Sequence, residues 1–141
     1  MNKQSPILII GAGSIGERHI NNLIQLGYTN IHVFRQRNLP LRNVDSTCVQ
    51  IHTDWEVIKS IPFVFAIICT PSSQHLAQTI ACLDLNMHVL VEKPLSHNTH
   101  HFELLTEKVK SSSKLLYVAY MMRFHPHLLA VKNSITSNTY G

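Results

Sequence analysis

Ile7-Leu8-Ile9-Ile10-Gly11-Ala12-Gly13-Ser14-Ile15-Gly16 decides the fold of this chain. The four aliphatic residues form an unbroken apolar run, as in a strand buried on both faces of a parallel sheet. The run breaks at Gly11. Beyond it, Ile15, His19, Ile20, Leu23, Ile24 and Leu26 recur at helical spacing until Gly27, which ends the helix at a C-terminal position. Ile31-His32-Val33-Phe34 is a second strand, so residues 7–34 read as a β-α-β unit.

Within that unit, Gly11-x-Gly13-x-x-Gly16 sits between strand and helix. Gly11 permits the tight turn, Gly13 lets backbone approach a pyrophosphate at the helix N-terminus, and Gly16 lets helix and strand pack closely. Ser14 and Ile15 complete the loop. Flavin and S-adenosylmethionine folds use similar loops, but a complete β-α-β context points to dinucleotide binding.

The alternation continues along the chain. Thr47 to Ile51 reads as a short strand, and Asp54 as the cap of a brief helix carrying Trp55, Val57 and Ile58. Phe63 to Cys69 is a third buried-type strand, and Ser72 or Ser73 caps a helix through Leu76, Ile80 and Leu83. His88 to Val91 is a strand, Thr99 to Val109 a helix, and Leu115 to Ala119 the last strand. Short connections between alternating elements mean an α/β Rossmann-type fold, a doubly wound parallel sheet with right-handed crossovers. Between Phe34 and Thr47 there is little room for a crossover helix, and Pro40 cuts what there is; an irregular loop is expected. From Phe124 the pattern changes, and His125-Pro126 opens a final helix carrying Leu128, Leu129, Val131 and Ile135.

The bulk properties agree with one globular domain. A chain of 141 residues suits a single core and is short for two. With 45% apolar and 14% charged residues, disorder is excluded. The net charge of +4 has its densest stretch at Arg35, Arg37 and Arg42, without interleaved aromatics. That pattern suits a phosphate-bearing small molecule and argues against nucleic acid. Cys48, Cys69 and Cys82 lack C-x-x-C spacing, which points to a reducing cytoplasm rather than a disulfide framework. The stretch from Pro6 to Ile10 has the wrong form for a signal peptide, and no run approaches a membrane span. Among ten histidines the close pairs, His100-His101 and His125-x-His127, lack partners at zinc spacing, so no metal is expected.

Three further stretches stand where ligands sit, at the carboxyl edge of the sheet. After the second strand, Arg35 and then Arg37 hold the place of the carboxylate that binds the ribose hydroxyls of NAD; cations there favour the 2′-phosphate of NADP, with NAD the alternative. Thr70-Pro71, followed by His75, provides backbone and side chains to line the cofactor, although a structural role suits a histidine at a helix start better than catalysis. Glu92-Lys93-Pro94 follows the next strand, where a lysine beside the nicotinamide can stabilise a developing alkoxide.

Taken together, Gly11 to His19, Cys69-Thr70-Pro71-Ser72-Ser73-Gln74-His75, Glu92-Lys93-Pro94-Leu95 and Tyr120-Met121-Met122-Arg123-Phe124-His125-Pro126 resemble the glucose–fructose oxidoreductase, inositol dehydrogenase and MocA family. The resemblance spans essentially the whole chain. It implies an NAD(P)-dependent oxidoreductase acting on a sugar, cyclitol or sugar-nucleotide alcohol, with Lys93 as the active-site lysine and Pro94 in an unusual peptide conformation. It also implies a catalytic His or Tyr in a second, α+β domain that matches nothing here, and homo-oligomers formed through that domain. Residues 1–122 then read as the NAD(P)-binding domain and residues 123–141 as a linking helix and the start of a substrate domain. Tyr140-Gly141 resembles the lead-in to that domain's first strand. The competing class is a noncatalytic dinucleotide-binding or sensing module. A methyltransferase is disfavoured by Glu92-Lys93-Pro94.

Overall fold

The computed structural model describes residues 2–37 and 39–138. In chain order the elements are β1 (Ile7–Ile10), α1 (Ser14–Gln25), β2 (Ile31–Phe34), β3 (Gln50–His52), α2 (Trp55–Ser60), β4 (Phe65–Ile68), α3 (Ser72–Asp84), β5 (His88–Val91), α4 (Phe102–Ser111), β6 (Leu116–Val118) and α5 (Pro126–Thr136). Two 3-10 turns, Ser46–Cys48 and Met121–Phe124, complete them.

Every residue of β1 is fully buried, because successive strand side chains alternate and both faces meet a covering layer. Ile7 and Ile9 pack with Ile20 and Leu23 of α1. Leu8 and Ile10 join the opposite layer, with Ile58 of α2, Leu76 and Leu83 of α3, and Leu105 of α4. Each such side chain contributes ~1.5–3 kcal/mol relative to exposure, so β1 is the stabilising axis of the domain.

The sheet order is β3-β2-β1-β4-β5-β6, with every pairing parallel. The order reverses between β1 and β4, and loops leaving those two strands diverge to open a crevice at the carboxyl edge. Register brings the strand ends level: Ile10 pairs with Phe34 and Ile68, and Ile68 with Val91. Gly11, Arg35, Cys69 and Glu92 therefore start at one edge.

The β1-α1-β2 unit ends its helix as expected. Gly27 has φ of +82°, and the amides of Gly27 and Tyr28 donate to the carbonyls of Ile24 and Leu23. Asp54 caps α2 by accepting from the Glu56 amide at 2.9 Å. Among its described residues the connection from β2 to β3 contains no helix apart from its closing 3-10 turn, in line with the break at Pro40.

Several boundaries differ from those read in the sequence. The first half of Thr47 to Ile51 belongs to the turn Ser46–Cys48, because Asp45 accepts from both the Thr47 amide and hydroxyl; the strand starts at Gln50. Neither Ser72 nor Ser73 caps α3: Pro71 holds the cap position in extended conformation and Ser72 is already helical. Helix α4 starts at Phe102 rather than Thr99, since His101 takes a left-handed φ of +65° that interrupts helical geometry. The strands read as Phe63 to Cys69 and Leu115 to Ala119 are shorter, Phe65–Ile68 and Leu116–Val118. Helix α5 opens at Pro126 as expected, yet none of its residues is buried. Tyr140-Gly141 lies outside the described residues.

One buried polar group has a pH consequence. His32 on β2 is 5% exposed, with its ring flanked edge-on by Phe63. Its Nε2 pairs with Asn30 Oδ1 and its Nδ1 with His52 Nε2, each at 2.9 Å, which suits a neutral ring donating once and accepting once. Burial, and then the neighbouring His52, lower its pKa from the usual 6.5. The unfolded chain therefore takes up this proton more readily, so His32 stabilises the fold above pH 6.5 and that stability falls away as pH drops below it. Urea melts at pH 7.5 and pH 5 should show the loss, and His32→Phe should reduce the difference between the two. An unchanged difference in the variant would rule out His32 as the source.

Candidate functional site

The glycine loop divides its labour between packing and open space. Gly11 has φ of +90°, and a Cβ there would lie 2.9 Å from Thr70 Cγ2 and 3.1 Å from the Cys69 backbone. Gly16 is tighter still, since a Cβ would stand 2.1 Å from the Gly11 carbonyl oxygen. These two glycines hold β1, α1 and the β4 loop together. Gly13 differs: a Cβ built there meets nothing within 4 Å. It caps α1 at the surface, followed by exposed Ser14 and Ile15. The cradle at a helix N-terminus is thus open where a pyrophosphate needs backbone approach and charge stabilisation. A dinucleotide fits the residues present.

On one side of Gly13 lies a cavity of ≈470 Å³, lined by Ser14, Glu17, Arg35 and residues of the loop from Leu39 to Asn43. Arg35 is half-buried and its Nη1 donates to the Leu39 carbonyl at 2.8 Å. Arg37 is exposed and joins Ala12, Gly13 and Arg35 around a shallower recess of ≈320 Å³. Thr70 and Pro71 line a third recess of ≈240 Å³ with Gly11 and Arg35. The Thr70 hydroxyl is engaged by Gln78 Oε1 at 2.5 Å.

His75 does not face these recesses. It is 2% exposed, with Nε2 2.7 Å from the Thr70 carbonyl and Nδ1 2.8 Å from that of Pro94. The sequence places it beside the cofactor with a structural role favoured, and here its ring lies between the loop after β4 and the loop after β5.

Beyond β5, Glu92 Oε1 lies 2.9 Å from His19 Nε2, tying the strand end to α1. Lys93 is exposed, its peptide bond to Pro94 is cis, and its ammonium has no ion pair among the described residues. Lys93 and Glu92 border a cavity of ≈440 Å³ with Ile15, Arg18, Tyr120 and Met122. The site residues expected from the sequence are thus gathered at one edge, His75 as their support.

Cys69 is close to this site but inert. Burial first, and then the Glu92 charge, push its thiol up to about 12, so it is no thiolate nucleophile at neutral pH. Among the described residues no group of three His, Cys, Asp or Glu side chains is placed to hold a metal ion. No helix among them is long and apolar enough to cross a membrane.

Sequence reading missed Glu17, His19 and Arg42 as parts of the site. Glu17 and His19 were legible only as helix positions, and Arg42 only as loop charge. Their partners lie 25 or more residues away, at Arg42, Asn43 and Glu92, and no local signal announces such pairings.

Comparison with known proteins agrees with this geometry. Residues 6–120 match the GFO_IDH_MocA oxidoreductase family, NAD-binding Rossmann fold. The 4-carboxy-2-hydroxymuconate-6-semialdehyde dehydrogenase of Sphingobium sp. is 25% identical over 93% of this chain and 43% of its own length. The myo-inositol 2-dehydrogenase of Thermotoga maritima is 26% identical over 94% of this chain and 41% of its own. Two Bacillus subtilis scyllo-inositol 2-dehydrogenases are similar over shorter stretches. One, named for NADP(+), is 27% identical over 63% of this chain and 25% of its own; the other, named for NAD(+), is 30% identical over 62% and 25%. The crystal structure of myo-inositol 2-dehydrogenase from Lactobacillus plantarum shares the fold, with a TM-score of 0.87 at 20% identity over 98% of this chain and 42% of that one. This chain thus spans well under half the length of these relatives. With its six-stranded parallel sheet, its glycine cradle and that match, the chain belongs to the GFO_IDH_MocA oxidoreductase family and forms its NAD-binding Rossmann domain.

Proposed function

We propose that this chain is the cofactor-binding part of an oxidoreductase that acts on a carbohydrate-like alcohol (a sugar, cyclitol or sugar nucleotide), with NADP preferred over NAD. The observation that carries this reading is a juxtaposition at one sheet edge. The open backbone at Gly13 shares one cavity with Arg35, while Lys93, with no ion pair among the described residues, borders another with Ile15 of the same helix start. A bound nicotinamide dinucleotide supplies the hydride acceptor or donor.

The remaining work falls to this chain's own residues. Amides at the α1 N-terminus hold phosphate charge, and Arg35 and Arg37 answer a 2′-phosphate with charge-assisted hydrogen bonds. The Lys93 ammonium donates to the reacting oxygen of the substrate and stabilises charge that develops there. His75 lies within hydrogen-bond distance of the Thr70 and Pro94 carbonyls, packed between the two loops that flank the crevice. Relatives named for inositol support the polyol class. The length of those relatives supports reading residues 123–141 as the lead into a substrate domain, with α5 as the link.

Fluorescence titration of the chain with NADPH and NADH tests this. NADPH is expected to bind about tenfold more tightly, a difference of ~1.4 kcal/mol, and Arg35→Ala to remove most of it. Equal affinities would overturn the NADP assignment; failure of both to bind would overturn the cofactor reading itself.

A further inference from the structure

Buried Glu17 directs its whole carboxylate at one loop. Its Oε1 accepts from the Arg42 amide at 2.9 Å, and its Oε2 accepts from the Asn43 amide at 2.9 Å and from Asn43 Nδ2 at 3.1 Å. Glu17 stands in the first turn of α1, four residues after Gly13, close to where a pyrophosphate would add like charge. Three N–H donors and the Arg42 charge answer that buried anion; unanswered, it would be costly.

The consequence falls on the crossover from β2 to β3. The described residues among 35–43 of this segment form no helix, yet Arg35 Nη1 grips the Leu39 carbonyl and Glu17 grips residues 42 and 43. The loop becomes a wall of the ≈470 Å³ cavity whose other lining includes Gly13, Ser14 and Arg35. Arg42, exposed and carrying five possible donors, lines that same cavity, whereas Arg37 borders the shallower recess beside it.

We propose that Arg42 is a specificity-determining residue that grips the ribose 2′-phosphate of the cofactor together with Arg35, and that Glu17 is the residue that positions it. The inference rests on the NADP reading proposed above. It adds a cation that spacing after the second strand does not single out, and a carboxylate whose role is to place that cation.

The test uses two ligands that differ by the 2′-phosphate alone, 5′-AMP and 2′,5′-ADP, titrated calorimetrically into the whole chain. The wild-type chain is expected to bind 2′,5′-ADP at least tenfold more tightly than 5′-AMP. Arg42→Ala should cut that ratio to about threefold or less and leave 5′-AMP affinity unchanged, while Arg42→Lys restores part of it. Glu17→Gln should lower the ratio in the same direction, a readout that a purely structural role would not move selectively. Should Glu17→Gln fail to fold, the exposed Asn43→Ala removes one of the same contacts and is expected to lower the ratio too. An unchanged ratio in Arg42→Ala overturns the inference and leaves the cofactor reading standing. Wild-type binding of both ligands without preference overturns the NADP assignment and Arg42 with it. Absence of binding by either ligand overturns the cofactor reading as well.

Discussion

Gly16→Val is expected to leave little cooperatively folded protein, whereas Gly13→Val keeps the fold and loses the cofactor. The two glycines are three residues apart in one loop, but their surroundings are opposite. At Gly16 a Cβ would stand 2.1 Å from the Gly11 carbonyl oxygen and 3.0 Å from its carbon. Both atoms are backbone, so relief requires α1 to move away from β1. Such a shift loosens Ile20 and Leu23 from Ile7 and Ile9, all of them core residues. The cost belongs at the top of the ~1–3 kcal/mol range for overpacking or above it, against a total stability of ~5–15 kcal/mol. At Gly13 a Cβ meets nothing within 4 Å, and φ is −78°, open to any side chain. There the valine occupies only the space a pyrophosphate needs, and affinity should fall by about a hundredfold, ~2.7 kcal/mol. Circular dichroism melts and NADPH titration of both variants check the pair. A stable Gly16→Val, or a Gly13→Val that binds like wild type, would refute the corresponding half.

Addition of NADP or NAD and a panel of polyols and sugar nucleotides to this 141-residue chain is expected to give no turnover. The reasoning is geometric. The cavity beside Lys93 is bordered by Ile15, Arg18, Tyr120 and Met122, on an exposed edge of the domain. Met121 and Met122 are more than 60% exposed, and Leu128, Val131 and Ile135 on α5 lie open beyond them. Nothing among the described residues closes over the site to hold a substrate carbon and transfer its proton at once. Loss of such positioning removes up to ~7–11 kcal/mol of rate advantage. The absorbance of the reduced nicotinamide reports the outcome. Clear turnover would mean that these residues hold a complete active site and would return attention to His19, Glu92 and Lys93 as its parts.

Much of the fold was legible because it follows from side-chain periodicity. An aliphatic run such as Ile7 to Ile10 requires cover on both faces, and alternation with helices then dictates parallel strands. The misread helix and strand starts have local causes, among them the left-handed His101 before α4. Asp45 draws Thr47 into a turn, and Pro71 takes the cap position expected of Ser72 or Ser73. The glycine loop, Arg35, Glu92 and Lys93 were legible because each follows a strand, and strand ends in such a sheet converge at one edge. The orientation of His75 was not, since its two carbonyl partners lie 5 and 19 residues away on separate loops. Glu17 was equally hidden, since the loop it holds has no pattern of its own.

Amide proton–nitrogen spectra of the isotopically labelled chain, recorded as NADPH is added, bear most directly on the central claim that the cofactor lies across the carboxyl edge at the glycine loop. Saturable shifts are expected for the amides of Gly11 to Gly16, Arg35, Thr70 and Glu92, with little change at the opposite edge, around Asn30, Val64 and Met87. Shifts that spare Gly11 to Gly16, or that concentrate at the opposite edge, would contradict it.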